Sequence, residues 1–368
     1  MSGSEKDADL KLATENIKKL ESDDVILASY LGSGSSLMGG ILLELGLDYI
    51  EGYQEKISEN KRKTDVVLPL WRKHWRQLEE KYVIEKSREV RFFKTHFYPE
   101  SYVNAKPHTA VLLVRDARDA VISYYNWRRG FSDEKGSLSD FLNTKGFYGK
   151  KPFDDWTSYI EKWIEWGNEA GHQLCLVKYE DLKFNPLKTI KNLLKSLKIK
   201  RTKKEIENAV ENSRFSKIKS EEMKYLKDKN QPRIFRKGLV GEWRDTLQPD
   251  DLKLMKKKTL KMLEQFQYSK KNKNNLSCFN HWFIGYNRST RKYLKEVLNR
   301  GEKAVLICLK QQYRGGIISP NLKVITGDFL PEFLDMISGN IYISSANEEI
   351  IKSVENIAKI NNFKSVHI

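Results

Sequence analysis

The stretch that decides the fold is SYLGSGSSLMGG, which runs from Ser29 to Gly40. The apolar runs VILA and ILLEL flank it, so the order predicts a buried strand, a glycine-rich turn and a helix. Such a turn aims several backbone N–H groups at one point and typically cradles a phosphate. A Walker A loop would carry a lysine beside its last Ser or Thr, and this loop has none. The sequence therefore predicts an anion-binding loop whose positive charge comes from another part of the chain.

The composition is that of a globular protein with a basic surface. Of the 368 residues, 39% are hydrophobic, and the formal net charge is +17. Most of the positive excess lies between residues 181 and 280, which indicates either an anion-binding surface or a solvated helical surface. Three widely spaced cysteines predict neither a disulfide framework nor a zinc site, so we expect a cytoplasmic protein. We expect no signal peptide and no membrane span.

Short apolar segments alternate with helical patterns in the first 268 residues. Strands are predicted at 25–31, 91–96, 109–115 and 174–180, and helices at 8–20, 35–46, 117–127, 156–171 and 249–268. Residues 213–240 lack clean periodicity and are predicted to form a long loop. The alternation indicates an α/β fold with a P-loop-like parallel sheet flanked by helices. Ligands of such a sheet gather at the carboxyl ends of its strands.

A polar, charged run, KKNKNN at 270–275, is the best linker candidate in the chain. We therefore predict a main domain at 1–268, a linker at 269–279 and a small α/β unit at 280–368. In the small unit, strands are predicted at 304–308, 322–326, 340–344 and 364–368, and helices at 289–299, 329–338 and 347–361.

Two stretches at predicted strand ends carry side chains suited to a charged ligand. In FFKTHF, Lys94 and His96 lie on the same side of an extended segment, because alternate strand residues share a face. In VRDARDAVISYY, Arg115 ends a strand and Ser123 lies two turns into the following helix. Both of these are placed to grip one phosphate.

A third stretch, FRKGLVGEW, supplies cationic groups from within the predicted long loop. It offers Arg236, Lys237 and the backbone N–H next to Gly238. Arginine suits phosphate because its planar guanidinium donates two parallel hydrogen bonds. Each stretch alone is a weak signal, and the combination is specific.

Together and in this order, the stretches resemble the soluble sulfotransferases that use 3′-phosphoadenosine 5′-phosphosulfate (PAPS). The family pattern is a loop like YPKSGTTW, then KTH, a strand ending in RdPrD with a Ser on the next helix, YEDL, and RKGxxGDW. This chain shows YLGSGSSL (30–37), KTH (94–96), VRDARDAVISYY (114–125), KYEDL (178–182) and RKGLVGEW (236–243). The matches span about residues 20–268, and residues 280–368 lie outside them.

The resemblance implies a role for each matching residue. The 5′-phosphosulfate would lie on the glycine-rich loop, against Gly32, Ser33, Gly34, Ser35 and Ser36. The 3′-phosphate would be bound by Arg115, Ser123, Arg236, Lys237 and Gly238. Tyr179 would line the adenosine site, and Phe215 would lie on the adenine ring.

The chain departs from the family pattern at two positions of the loop. Gly32 stands where the family has a lysine, and Leu37 where it has an adenine-stacking tryptophan. That lysine would neutralise charge on the bridging oxygen as the sulfuryl group leaves. Loss of one transition-state donor typically costs about 10²–10³ in rate, so we expect reduced activity unless another group compensates. Lys94 is the nearest replacement cation.

The resemblance implies an enzyme that moves the sulfuryl group from PAPS to a hydroxyl or amine of a small-molecule or carbohydrate acceptor. The product nucleotide would be 3′-phosphoadenosine 5′-phosphate (PAP), and no metal is expected. His96 is the predicted general base, because an unperturbed pKa of about 6.5 suits proton transfer near neutral pH. Lys94 is the second predicted catalytic residue. Aromatic residues in segments that would line either the acceptor pocket or the core are Trp71, Trp75, Phe97, Phe147 and Tyr148.

The lysine-free loop and the basic surface also bear on other functions. A P-loop kinase or NTPase is disfavoured because the loop lacks its lysine. A PAPS-, PAP- or polyanion-binding protein that keeps the fold without efficient catalysis stays open because of Gly32. Nucleic acid is not an expected partner, because the aromatic residues occupy periodic core positions and do not interleave with the basic runs. For residues 280–368, homodimerisation, capping of the acceptor pocket and an unrelated activity all stay open.

Overall fold

The computed structural model describes residues 11–51, 90–132, 134–225, 232–233, 235–268, 280–285, 287–309, 322–327, 337, 339–345 and 347–367. The chain divides into two compact units. The first comprises Met1–Tyr179, Leu187–Gly238 and Lys253–Thr259, and the second Glu180–Pro186, Leu239–Leu252 and Leu260–Ile368. The predicted linker at 269–279 lies outside the described residues, so the boundaries at 268 and 280 stay a prediction.

The first unit is built on a five-stranded parallel sheet. Its strands are β1 (Val25–Ser29), β2 (Asp48–Glu51), β3 (Arg91–Thr95), β4 (Thr109–Val114) and β5 (Gln173–Lys178), in the spatial order β2-β3-β1-β4-β5. The central strand β1 is buried along its whole length and pairs in parallel with both β3 and β4. Parallel strands end at the same edge, so the loops after β1, β3 and β4 meet there. The predicted parallel sheet flanked by helices is confirmed.

Helices follow most of the strands. In chain order they are α1 (Ser35–Glu44), α2 (Ala117–Phe131), α3 (Leu138–Asn143), α4 (Pro152–Gly167), α5 (Tyr179–Phe184), α6 (Pro186–Ser196), α7 (Lys203–Asn212), α8 (Phe215–Tyr225), α9 (Trp243–Thr246), α10 (Pro249–Lys253), α11 (Lys257–Gln265), α12 (Arg288–Asn299) and α13 (Glu348–Ile360). Residues 11–17 are also helical. In the part of the chain that the structure describes, none of these helices is long and apolar enough to cross a membrane.

The second unit contains a parallel sheet of its own. Its strands are β6 (His281–Ile284), β7 (Ala304–Leu309), β8 (Leu322–Gly327), β9 (Asn340–Ile343) and β10 (Ser365–His367), in the order β10-β9-β6-β7-β8. Side chains of β6, β7 and α12 form its apolar core, among them Phe283, Leu294 and Leu306. The predicted small C-terminal α/β unit is confirmed, and the predicted helix at 329–338 falls largely outside the described residues.

Two secondary-structure predictions were wrong in part. Residues 213–240 were predicted to be a loop, and the structure has α8 within them. The face of α8 that packs inward carries Ile218 and, one turn later, Glu222, whose carboxylate accepts a hydrogen bond of 3.1 Å from the N–H of Phe235. A glutamate at a buried position hides the helical pattern. The helix predicted at 249–268 is interrupted and forms α10 and α11.

Candidate active site

The glycine-rich loop connects β1 to α1 through a turn that only glycine fits. Gly32 and Gly34 have φ angles of 79° and 94°, in the left-handed region that favours glycine. A Cβ atom on Gly32 would lie 2.6 Å from the carbonyl oxygen of Ala120 and 2.8 Å from Cβ of Ser123. The loop therefore packs directly on α2, and position 32 has no room for a side chain.

The N-terminus of α1 presents unsatisfied polar groups at this loop. Gly34 is the N-cap residue, no side chain caps the helix, and its first turn has no acidic residue. The first turn includes Ser35 and Ser36, whose N–H groups have no acceptor within a helix. The Ser33 hydroxyl is also buried and has no hydrogen-bond partner among the described residues. Positive helix-terminal N–H groups beside a buried hydroxyl suit an anion.

Arg115 and Tyr179 follow the carboxyl ends of β4 and β5, and both contact the glycine-rich loop. A guanidinium nitrogen of Arg115 donates to the carbonyl oxygen of Gly32 at 2.9 Å. The guanidinium carbon lies 4.3 Å from the centre of the Tyr179 ring. A Cβ on Gly34 would lie 2.4 Å from that ring, so Tyr179 covers the loop directly. The indole N–H of Trp156 fixes the backbone of Arg115 with a 3.1 Å hydrogen bond to its carbonyl.

Tyr179 also connects the loop at Arg236–Gly238 to this cluster. Its hydroxyl donates to the carbonyl oxygen of Gly238 at 3.3 Å. Gly238 has a φ of 62°, and a Cβ there would lie 2.4 Å from the ring of Phe215, so Phe215 packs on the turn. Arg236 is half-buried and accepts a 2.9 Å hydrogen bond from Lys219 at its carbonyl, whereas the side chain of Lys237 is exposed. Through Tyr179, the structure joins Gly238 and Phe215 to Gly34 and Arg115.

His96 follows the end of β3 and lies beside the last residue of β1. Its Nδ1 lies 2.7 Å from the carbonyl oxygen of Ser29 and 3.3 Å from the Ser29 hydroxyl. A carbonyl oxygen only accepts, so Nδ1 carries the proton and Nε2 is the acceptor atom of the neutral ring. Burial, and then the positive charge of Lys94, lower the pKa of His96 to about 3. The ring is therefore a neutral imidazole near pH 7.

Lys94 forms a buried ion pair that the sequence did not predict. Its ammonium lies 3.0 Å from the carboxylate of Glu51, and both side chains are at most 6% exposed. The two residues are partners across β2 and β3. The signal for Glu51 was the short alternating segment Asp48–Glu51, which was not predicted to be a strand. Lys94 is thus a cation whose charge is balanced by a neighbouring strand.

Aromatic side chains lie against His96. The Tyr148 hydroxyl donates to the carbonyl oxygen of His96 at 2.5 Å. The Tyr148 ring contacts those of Tyr98 and Phe147 with ring centres 4.9 Å apart in each case. Phe147 also lies 6.0 Å from Phe97. Of the aromatic residues predicted to line either the acceptor pocket or the core, Phe97, Phe147 and Tyr148 form one cluster. Trp71 and Trp75 lie outside the described residues.

Among the residues the structure describes, no three side chains of His, Cys, Asp or Glu lie close enough together to hold a metal ion.

Comparison with known proteins gives the family. The model of the sulfotransferase domain family matches residues 22–267. Sulfotransferase 1A1 of Rattus norvegicus is 27% identical over 176 residues, which is 44% of this chain and 59% of that protein, less than two thirds of its length. Sulfotransferase 1B1 of Canis lupus familiaris is 23% identical over 251 residues, or 63% of this chain and 81% of that protein.

A solved structure shares the fold. The crystal structure of mouse sulfotransferase SULT7A1 complexed with PAP superimposes with a TM-score of 0.50 at 19% sequence identity. It covers 72% of this chain and 96% of that one. The family match covers most of the chain and includes the glycine-rich loop, His96, Arg115 and Gly238, so this chain belongs to the sulfotransferase domain family.

Proposed function

We propose that this protein transfers the sulfuryl group of PAPS to a hydroxyl or amine of a small-molecule or carbohydrate acceptor, releasing PAP. One observation carries the proposal. The buried hydroxyl of Ser33, which has no hydrogen-bond partner in the part of the chain that the structure describes, lies in a loop that leads into a helix N-terminus without a side-chain cap. Arg115 donates to the same loop at Gly32. These groups fit an anionic ligand that satisfies several hydrogen-bond donors at once.

The nucleotide would be held by backbone and side-chain groups in two places. The N–H groups from Ser33 to Ser36, together with Gly32, would bind the 5′-phosphosulfate. The 3′-phosphate would be bound by Arg115, Ser123, Arg236, Lys237 and Gly238. Close packing of Gly32 on Ser123, and of Tyr179 on Gly34 and Arg115, supports a continuous site. Tyr179 would line the adenosine and Phe215 its base.

His96 would act as the general base on the acceptor. When bound, PAPS supplies the sulfuryl group on a phosphate leaving group. The chain's part is to orient the two reactants in line and to accept the acceptor's proton. The Ser29 carbonyl holds Nδ1–H, so Nε2 is the atom that takes this proton. The lowered pKa keeps Nε2 unprotonated before the reaction.

Lys94 would stabilise charge that develops during transfer. Its ion pair with Glu51 balances the ammonium, so its contribution would be smaller than that of an unpaired lysine. Gly32 contributes no side chain. We therefore expect a rate below that of a protein with the loop lysine.

A second candidate function is PAP or PAPS binding without efficient transfer. The space around Gly32, which excludes any side chain, favours it. Retention of a correctly oriented neutral histidine favours the enzyme, because binding alone needs no base.

The two functions are separated by a binding measurement followed by a transfer assay. Calorimetric titration with PAP tests the nucleotide site, and adenosine 5′-phosphosulfate, which lacks the 3′-phosphate, is the matched control ligand. Transfer of radiolabelled sulfate from PAPS to a panel of phenols, alcohols, amines and sugars then tests catalysis. Tight PAP binding with acceptor-dependent transfer supports the enzyme. Tight binding with no transfer to any acceptor supports the binding protein, and no binding contradicts both.

A further inference from the structure

Asp155, which the site described above does not use, is a buried carboxyl group in α4. It is fully buried, and Oδ1 accepts a hydrogen bond of 3.0 Å from the N–H of Lys150. The second oxygen, Oδ2, is buried and has no hydrogen-bond partner among the described residues. A buried acid with an unsatisfied oxygen is costly for stability, so its retention calls for a function.

The carboxylate lies under the turn at Gly146–Lys150. The N–H of Gly146 donates to the carbonyl of Lys150 at 2.7 Å, and that of Gly149 to the carbonyl of Gly146 at 3.1 Å. A Cβ on Gly146 would come within 2.8 Å of Oδ2, so the carboxyl fills the space beneath this glycine. Asp155 and the two backbone bonds together fix the shape of the turn.

The turn carries Tyr148, and Tyr148 holds His96. The phenol donates to the carbonyl oxygen of His96 at 2.5 Å. On its other side, the His96 ring is held by the Ser29 carbonyl. Asp155 thus contacts the turn at Gly146 and Lys150, and Tyr148, which lies in that turn, donates a hydrogen bond to the backbone of the proposed base.

We propose that Asp155 is a positioning residue for His96, acting through the turn at Gly146–Lys150 and Tyr148, and that its ionised form holds His96 in place. This proposal rests on the proposed function for the role of His96. The hydrogen-bond connection itself does not, and it is tested separately. An ionised carboxylate accepts N–H groups about twice as strongly as a neutral carbonyl, so loss of its charge loosens the turn.

The ionisation of Asp155 falls in the physiological range. Burial raises the pKa of its carboxyl to about 7, against the lowering effect of hydrogen bonds from Lys150 and Tyr148. Lys150 favours the charged form and Asp154 disfavours it. The other titratable groups facing it belong to three different elements: Tyr30, Tyr98 and Tyr124. The pKa of each of these phenols is raised, so they stay neutral at pH 7.

His96 cannot supply a titration near pH 7, because its own pKa lies at about 3. A shift of the magnetic resonance signals of the His96 ring near neutral pH therefore reports the titration of a neighbouring group. This separates Asp155 from the base that it positions.

The connection is tested by nuclear magnetic resonance of the full chain carrying isotope-labelled histidine, with His96 assigned from a His96→Asn variant. We expect the ring signals of His96 to shift with a midpoint near pH 7 while the ring stays neutral. In Asp155→Asn this shift disappears. In Tyr148→Phe it shrinks, because the hydroxyl that touches His96 is gone. A wild-type signal with no inflection near pH 7, or one that survives in Asp155→Asn, overturns the proposal whether or not the protein transfers sulfate.

Transfer kinetics give the second readout, with Asp154→Asn as the matched control. Asp154 lies next to Asp155 on α4 but pairs with Lys256 at 2.6 Å instead of holding the turn. We expect kcat of the wild type to rise through pH 7. We expect kcat of Asp154→Asn to rise as well, with its midpoint at a lower pH, because the charge of Asp154 disfavours the ionised form of Asp155. We expect Asp155→Asn to lack this rise and to have a kcat lower by about 10-fold to 10²-fold at pH 8, with little change in KM for PAPS. Equal losses in the two variants, or an unchanged profile in Asp155→Asn, contradict the positioning role.

Discussion

The Nδ1 atom of His96 lies 2.7 Å from the carbonyl oxygen of Ser29, the last residue of β1. The strand that leads into the glycine-rich loop therefore also sets the tautomer of the proposed base. If Nε2 accepts the acceptor's proton, His96→Ala lowers turnover by about 10²–10⁴-fold. We expect nucleotide affinity to stay nearly unchanged, because the hydrogen bonds described for His96 go to Ser29 and Tyr148, outside the loop at Gly32–Ser36. Rapid-quench transfer assays and PAP calorimetry measure the two effects.

His96→Gln tests the same assignment against simple loss of packing. The Gln amide can donate to Ser29 but is no base, so we expect the fold and PAP affinity to be kept and the rate to be lost. A Gln variant that transfers sulfate at the wild-type rate would falsify the role of His96 as base.

The pH dependence of stability provides an independent check on His96. Burial, with a further contribution from Lys94, lowers its pKa from 6.5 to about 3. Between these two pH values the unfolded chain binds a proton that the folded chain does not. The unfolding free energy contributed by this group therefore falls as pH drops from 6.5 toward 3. We expect His96→Gln to flatten the urea-unfolding profile in this window, and a profile that keeps the full wild-type slope contradicts the lowered pKa.

The sequence predicted the parts of the site that depend on glycine, strand ends and the order of motifs. The loop, Arg115 and His96 are local signals, because each follows directly on an apolar strand. Residues that the sequence did not reveal are buried acids with distant partners. Glu51 pairs with Lys94 across 43 positions, and Glu222 binds the backbone of Phe235. A pattern based on polarity places such residues at the surface, so β2 and α8 were missed.

The pKa of His96 is lower in the structure than the sequence predicted. The sequence supplied an unperturbed pKa of about 6.5 for a histidine near neutral pH. Full burial of the ring between β1 and β3, beside the ammonium of Lys94, is a tertiary feature that no local pattern reports. The structure therefore changes the expected pH–rate profile, since a rise near pH 6.5 does not come from His96.

Arg115→Ala separates the two phosphate positions of the nucleotide. If Arg115 binds the 3′-phosphate, the change weakens PAP binding by about 1.5–3 kcal/mol, as for a charge-assisted contact, and weakens adenosine 5′-phosphosulfate binding far less. Arg236→Ala should behave alike. Arg129→Ala is the matched control, because Arg129 is exposed on α2 and lies over Tyr125. Equal losses for both nucleotides would show that Arg115 acts on the loop through Gly32 instead.

Gly32→Lys does not restore the family's lysine in this chain. With a φ of 79° and a Cβ position 2.6 Å from the Ala120 carbonyl, the new side chain strains the turn and pushes it off α2. We expect weaker PAP binding and slower transfer, each by at least about 10-fold. Gly171→Lys is the control, since Gly171 has a φ of 86° and nothing within 4 Å of its Cβ position. A Gly32→Lys protein with raised transfer would instead identify the loop as an impaired version of the family's.

Residues on both sides of the predicted boundary at residue 268 contact each other within the second unit. Within the second unit, Lys183 on α5 is 2% exposed and pairs at 2.7 Å with Glu349 on α13. The side-chain amide of Asn347, which caps α13, donates to the carbonyl of Phe184 at 3.1 Å. A chain that ends at Tyr268 lacks Glu349 and Asn347, so Lys183 and Phe184 lose these two contacts.

Glu349→Gln isolates this effect in the full-length chain. We expect it to lower the unfolding free energy by about 2 kcal/mol in urea titrations, because a buried charge loses its partner. Lys352→Gln is the control, since Lys352 pairs with Glu348 at the surface, where an ion pair contributes little. A chain ending at Tyr268 should be destabilised by at least as much as Glu349→Gln, and its PAP affinity then decides whether residues 1–268 suffice for the nucleotide site. If Glu349→Gln and Lys352→Gln unfold at the same urea concentration, the Lys183–Glu349 pair does not tie α5 to α13.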